Sequence, residues 1–157
     1  MTPGILGISR RPLRRLAPLA ACLLALHLAT CSRAPKEVQL TLAAVGEFLR
    51  YDKSELKVPA NSRVTLTLKN NALGPATLHN FVLVQPGTTD AVGVAAASAG
   101  LAKDYVPSHY AVIASSALAR PRQTVTVSFM APPAGNYEFV CTTPGHYPVM
   151  RGTFIVQ

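Results

Sequence analysis

Apolar and polar residues alternate through "VQLTL" (38–42), "RVTLTLK" (63–69) and "QTVTVSF" (123–129). A period of two over such short runs predicts strands with one face buried. "HNFVLVQ", "YAVIA", "NYEFVC" and "GTFIVQ" complete the set, and "FLRYD" and "LKVP" are weaker strands parted by turn residues around Asp52 to Ser54. Turn chemistry at "PANS", "NNALGP", "QPGTTD", "ARPR" and "PPAGN" separates most of these segments. Eight or nine short strands at this spacing predict an all-β fold, an antiparallel two-sheet sandwich with Greek-key connections. The exception is "TTDAVGVAAASAGLAKDYVP" (88–107), which is Ala-rich and follows a candidate N-cap at Thr89 or Asp90. It predicts a short helical flap between strands, weakened by Gly93 and Gly100.

Ahead of the strands the pattern changes in kind. Arg10, Arg11, Arg14 and Arg15 precede a run from Leu16 to Thr30 broken only by Pro18 and His27, the layout of an export signal. The run is about fifteen residues, short of the roughly 20 that a helix needs to cross a bilayer, so a retained membrane anchor is the lesser reading. "SRRPL" resembles a twin-arginine signal, and the same arginines would serve an ordinary secretory leader. "LATC" (28–31) resembles a bacterial lipoprotein cleavage site with Cys31 as the lipidated residue, whereas "LAAC" (19–22) leaves little apolar run ahead of it. The expected organisation is therefore a leader over residues 1–31, a short tether over 32–36 containing Pro35, and one folded domain over 37–157. At 157 residues and 49% apolar composition the chain is long enough for one core and not two. The protein is expected in the bacterial periplasm or on the outer face of the cytoplasmic membrane, held there if Cys31 carries lipid.

Charge adds an exclusion. Four of the fifteen basic residues and none of the seven acidic ones lie in the leader, so eleven against seven leave +4 of the overall +8 for the rest. The basic residues are scattered along strands without a clustered patch or interleaved aromatics, which argues against nucleic-acid binding. Two of the three cysteines, Cys22 and Cys31, belong to the leader, so the domain keeps Cys141 alone and cannot form an internal disulfide. A single thiol in an oxidising compartment asks for a reason, and a metal bond supplies one.

That thiol stands in "CTTPGHYPVM" (141–150) with His146 and Met150. Alternation in "NYEFVC" places Tyr137, Phe139 and Cys141 on one face, and Pro144 and Gly145 let the following loop double back. In "HNFVLV" the same rule puts His79 with Phe81 and Leu83, so a second imidazole can reach the same rim of the sandwich. A thiolate, two imidazoles and a thioether match the His₂Cys plane with a weak axial Met of blue-copper electron-transfer sites. Zinc more often takes four Cys or His ligands.

Cys-x4-His-x3-Met, preceded by "YEFV" and followed by "RGTFIV", resembles the copper loop of the azurin and auracyanin type of blue copper proteins, in the cupredoxin family. "LHNFVL" and "AKDYVPSHYAVIASSAL" are similar to further stretches of that family, so the likeness covers most of residues 36–157. Plastocyanin and pseudoazurin are less similar, having a shorter interval from Cys to His. The resemblance implies one copper per chain, with His79, Cys141 and His146 as equatorial ligands and Met150 as the axial one. It implies that Asn80 and Thr142 stand beside the ligands, Asn80 pinning their loops by hydrogen bonds. It also implies that electrons pass at the edge of His146, in a surface that includes Pro144 and Tyr147, with Leu73, Pro75 and Pro148 around it.

Three positions depart from the azurin pattern. Leu78 replaces the glycine whose carbonyl approaches copper, the N-terminal disulfide is impossible, and Thr143 stands where Phe is common. Alone, Cys141 would read as a buried structural thiol and Met150 as core filler; together with His146 and "HN" they read as a site. His109 is expected in solvent, and Met130 in the core. The function expected is a monomeric electron carrier, not an enzyme, moving single electrons between extracytoplasmic redox proteins such as cytochromes or respiratory and photosynthetic complexes. The alternative is a periplasmic copper carrier or buffer without a redox role. Copper enzymes of the nitrite reductase or multicopper oxidase kind need further histidines, and only His109 is left over.

Overall fold

The computed structural model describes Met1, residues 34–75 and residues 77–157. The leader expected over residues 1–31 and the lipid site at Cys31 lie outside the described residues, apart from Met1. Eight strands follow: β1 (Lys36–Ala44), β2 (Glu55–Val58), β3 (Ser62–Asn70), β4 (Val82–Val84), β5 (Val112–Ser115), β6 (Thr124–Met130), β7 (Gly135–Val140) and β8 (Arg151–Val156). Helix α1 (Thr89–Ala99) and a 3₁₀ turn (Leu101–Lys103) lie between β4 and β5.

The strands form two sheets, β1-β3-β6 and β2-β8-β7-β4-β5. The sandwich is as expected from the alternation, but its sheets are mixed. β1 pairs with β3 in parallel and β2 with β8 in parallel, while the remaining pairs are antiparallel. The reason is connectivity: β2 belongs to the other sheet, so the chain crosses over between β1 and β3 and returns in the same direction.

Register fulfils the alternation most fully in β3. Val64, Leu66 and Leu68 are wholly buried while Arg63 and Lys69 are exposed. These side chains meet Leu42 from β1 and, across the sandwich, Leu56, Val58, Phe81, Leu83, Phe139, Phe154 and Val156. Each large apolar side chain so removed from water contributes about 1.5–3 kcal/mol. β4 is buried on both faces, because Val82 and Val84 turn outward with Val140 beneath Val92 of α1.

Some local expectations change. "FLRYD" makes no strand: Gly46 adopts φ +54° and turns the chain, and Tyr51 keeps only an isolated bridge to Ala44. The helix starts one residue earlier than the candidate caps, with Thr88 at the N-cap and no side-chain cap bond. Thr89, offered as a cap, instead donates its hydroxyl to the Glu138 carboxylate on β7. Met130 is 46% exposed rather than in the core, since it shares the outward face of β6 with Thr124, Thr126 and Ser128 while Phe129 turns in. His109 is half-buried rather than solvated, its Nδ1 accepting from the Ala111 N–H and its ring stacked on Tyr110. Among the described residues no helix is long and apolar enough to cross a membrane.

Candidate metal centre

His79 precedes β4 in a two-bond bridge. Its N–H donates to the Ala119 carbonyl at 3.2 Å and its carbonyl accepts from the Ala119 N–H at 2.7 Å. Cys141 follows β7 directly and continues the inward row of Tyr137 and Phe139, so the strand's own period delivers the thiol to the rim. Beyond it the loop turns at Gly145, whose φ of +83° favours glycine. The His146 N–H donates to the Thr143 carbonyl at 3.0 Å, and the Met150 N–H donates to the His146 carbonyl at 2.8 Å. The Cys141 N–H then closes the loop onto the Met150 carbonyl at 2.9 Å.

The outcome is a convergence of donors. Cys141 Sγ lies 3.7 Å from His79 Nδ1 and 3.4 Å from His146 Nδ1, and one donor atom from each of the three residues lies within 4.8 Å of the others. The two imidazole rings are tilted at 45° with centroids 5.1 Å apart. His79, Cys141 and Met150 are completely buried, whereas His146 is partly exposed. The Met150 side chain lies in the same apolar cluster as Cys141.

Asn80 locks the two ligand-bearing segments together. Its Nδ2 donates to Thr142 Oγ1 and to the Asp104 carbonyl, each at 2.8 Å, and its Oδ1 accepts from the Thr142 N–H at 2.8 Å. Thr142 in turn donates its hydroxyl to the Tyr105 carbonyl at 2.8 Å. Thr143 ties the same two segments at another point, donating to the Leu78 carbonyl at 3.0 Å with its Oγ1 3.5 Å from Cys141 Sγ. The Leu78 carbonyl is thus already engaged by a hydroxyl. Tyr147 is half-buried, its ring laid over Gly93 of α1, while Pro144 and Pro148 are exposed. The resemblance groups all of these with His146 at the surface; in the fold Tyr147 mainly seats the loop on the helix.

Burial sets the electrostatics. It lowers the His79 pKa from 6.5 to about 4, with His146 adding in the same direction and Glu47 opposing. Burial also lowers His146 and raises the Cys141 thiol, the latter offset in part by hydrogen bonding from Thr143 and Asn80. Both imidazoles are therefore neutral at pH 7, the state in which a ring nitrogen can ligate. Two imidazole Nδ1 atoms aimed at one buried thiol, with a thioether buried in the same cluster, fit copper as the notional occupant better than they fit zinc. Sequence pattern singled out His79, Cys141 and His146, which the fold brings together, and Met150, which is buried in the same apolar cluster as Cys141. It missed Glu47 and Asn70, which hold the approach to His79; neither lies in a motif, and only the fold brings them there.

A two-sheet sandwich with a His, Cys, His and Met set at one rim defines a cupredoxin. The chain belongs to the copper binding proteins of the plastocyanin/azurin family, whose profile matches residues 37–157. It is 43% identical over 123 residues to auracyanin-A of Chloroflexus aurantiacus, covering 76% of this chain and 75% of that protein. The solved structure of auracyanin A, a "blue" copper protein from Chloroflexus aurantiacus, superposes with a TM-score of 0.72 at 42% identity, covering 77% of this chain and 99% of that one. Dithionite-reduced auracyanin from Roseiflexus castenholzii gives a TM-score of 0.71 at 36% identity, covering 78% and 98%. Copper is the cofactor of this family, and the His79, Cys141, His146 and Met150 set is present here.

Proposed function

We propose that this chain is a one-electron carrier, whose type 1 copper would be held by His79, Cys141, His146 and Met150. A bound copper ion supplies the Cu(II)/Cu(I) couple. The chain's part is to keep one donor arrangement for both oxidation states, and Asn80 and Thr143 do this by bonding the His79 segment to the Cys141 segment. The observation that carries the reading is the difference in burial: three of the four donors are sealed from water and His146 alone reaches the surface. A sealed thiol resists oxidation and exchange of its ligand, whereas a carrier that hands copper over needs an open site. The exposed Leu73, Pro75, Pro144, Pro148 and Val149 suit brief docking by contact rather than charge steering. Redox proteins such as cytochromes are the partners that this surface would meet. Together with the arginine-rich leader and Cys31, this supports a place outside the cytoplasmic membrane.

The test is the visible spectrum of the domain with Cu(II), beside Cys141→Ala. An intense thiolate-to-copper charge-transfer band is expected in the wild type, bleached reversibly by reductant and lost in the variant. A colourless wild type, or one that bleaches once without recovery, refutes the carrier and makes copper delivery the leading account.

A further inference from the structure

Glu47 lies on the exposed loop between β1 and β2, far from the copper motif in sequence. Its carboxylate nevertheless accepts three hydrogen bonds from one short segment: the Leu73 N–H at 2.6 Å and the Gly74 N–H at 2.8 Å on Oε1, and the Thr77 hydroxyl at 2.7 Å on Oε2. Two residues later that segment delivers His79. A Cβ at position 74 would stand 3.0 Å from Glu47 Oε2, so a glycine there gives the carboxylate room to close in. The presenting loop is itself ordered, with the Val45 N–H on the Arg50 carbonyl at 3.1 Å and the Phe48 N–H on the Val45 carbonyl at 3.0 Å.

From inside, buried Asn70 grips the same segment. Its Oδ1 accepts from the Ala72 N–H at 3.0 Å, and its Nδ2 donates to the Thr77 carbonyl at 2.7 Å and the Ala119 carbonyl at 2.9 Å. Ala119 is the residue bridged to His79. Leu73, Gly74, Pro75 and Thr77 belong to no strand or helix, so side chains on either side supply the order that a ladder would otherwise give.

We propose that Glu47 is a positioning residue of the metal centre, clamping Leu73, Gly74 and Thr77 from outside so that His79 is held where Cys141 and His146 converge. The proposal rests on the reading of that centre as a copper site. Glu47→Gln separates its two contributions, because the amide oxygen can still accept from Leu73 and Gly74 and the amide nitrogen can donate to the Thr77 hydroxyl, while the charge is gone. Glu47→Ala removes bonds and charge together.

In metal-free protein, NMR would record amide exchange at Leu73 and Gly74 and the His79 ring resonances for wild type and both variants. Glu47→Ala is expected to exchange several-fold faster at both amides and to shift the His79 signals; Glu47→Gln is expected to match the wild type. With copper bound, only Glu47→Ala should show an altered charge-transfer intensity. Wild-type behaviour in Glu47→Ala overturns the proposal, and so does faster exchange with unmoved His79 signals, which reduces Glu47 to a local stabilising contact. Glu47→Gln behaving like Glu47→Ala overturns it too, by assigning the effect to charge. A wild type without a charge-transfer band refutes the copper reading instead, and the metal-free measurements still decide whether Glu47 positions His79.

Discussion

His79 has no solvent exposure, and among the described residues its Nε2 has no hydrogen-bond partner, so protonating this ring inside the fold is unfavourable. Its pKa falls from 6.5 to about 4, chiefly through burial. Between those values the unfolded chain binds a proton that the folded chain refuses, so stability rises with pH across that window. His146, lowered by burial as well, acts in the same direction. The metal-free protein should therefore have its full stability above pH 6.5 and lose it progressively as pH falls toward about 4. Thermal midpoints measured at pH 4, 5, 6 and 7 should show this rise, and His79→Gln should flatten it. An unchanged slope in that variant would rule out burial of His79 as the cause. At this scale the sequence was readable where chemistry is local: Cys141, His146 and Met150 sit ten residues from end to end. Glu47 and Asn70 were not, because a carboxylate in an exposed loop and an amide at a strand end look ordinary until their partners are in place.

Helix α1 was legible as an element, but the purpose of its glycine was not. Gly93 reads as a flaw in a helix, since alanine would be favoured there by about 1 kcal/mol in isolation. In the fold a Cβ at that position would lie 2.2 Å from Cγ of the Tyr147 ring, so the glycine gives the metal loop its seat against the helix. Overpacking of this kind costs about 1–3 kcal/mol, enough to outweigh the gain in propensity. Gly93→Ala should thus destabilise the metal-free protein by up to about 2 kcal/mol in urea denaturation. Tyr147→Ala in the same background should recover part of the loss, since the two changes share one contact. A Gly93→Ala variant more stable than the wild type would contradict the packing. The helix is fastened at its start by the Thr89 hydroxyl on Glu138, while the exposed Arg151–Asp90 pair at 3.2 Å adds little.

Across the whole molecule, the donors come from two segments that the chain separates by 62 residues, so an unfolded chain offers no such site. A metal that binds only the folded state stabilises it by mass action, about 2.7 kcal/mol when its concentration is a hundred times the dissociation constant. Copper-loaded protein should accordingly melt at least about 10 °C above the metal-free form in calorimetry. Cys141→Ala should show little of this increment. Equal midpoints for the two wild-type forms would mean that the donors bind metal no better when folded than when unfolded.

Sequence alone pointed to two sheets, to the buried face of strands such as β3, and to four side chains that can serve as donors. Periods of two and short intervals are properties of neighbouring residues, and they survive without knowledge of the fold. Tertiary structure decided the parallel pairings of β1 with β3 and β2 with β8, the seat of Tyr147 on Gly93, and the clamp of Glu47 and Asn70 on the approach to His79. Each of these joins residues distant along the chain, where no periodicity links the partners and only the path of the backbone in space sets which groups come within a hydrogen bond.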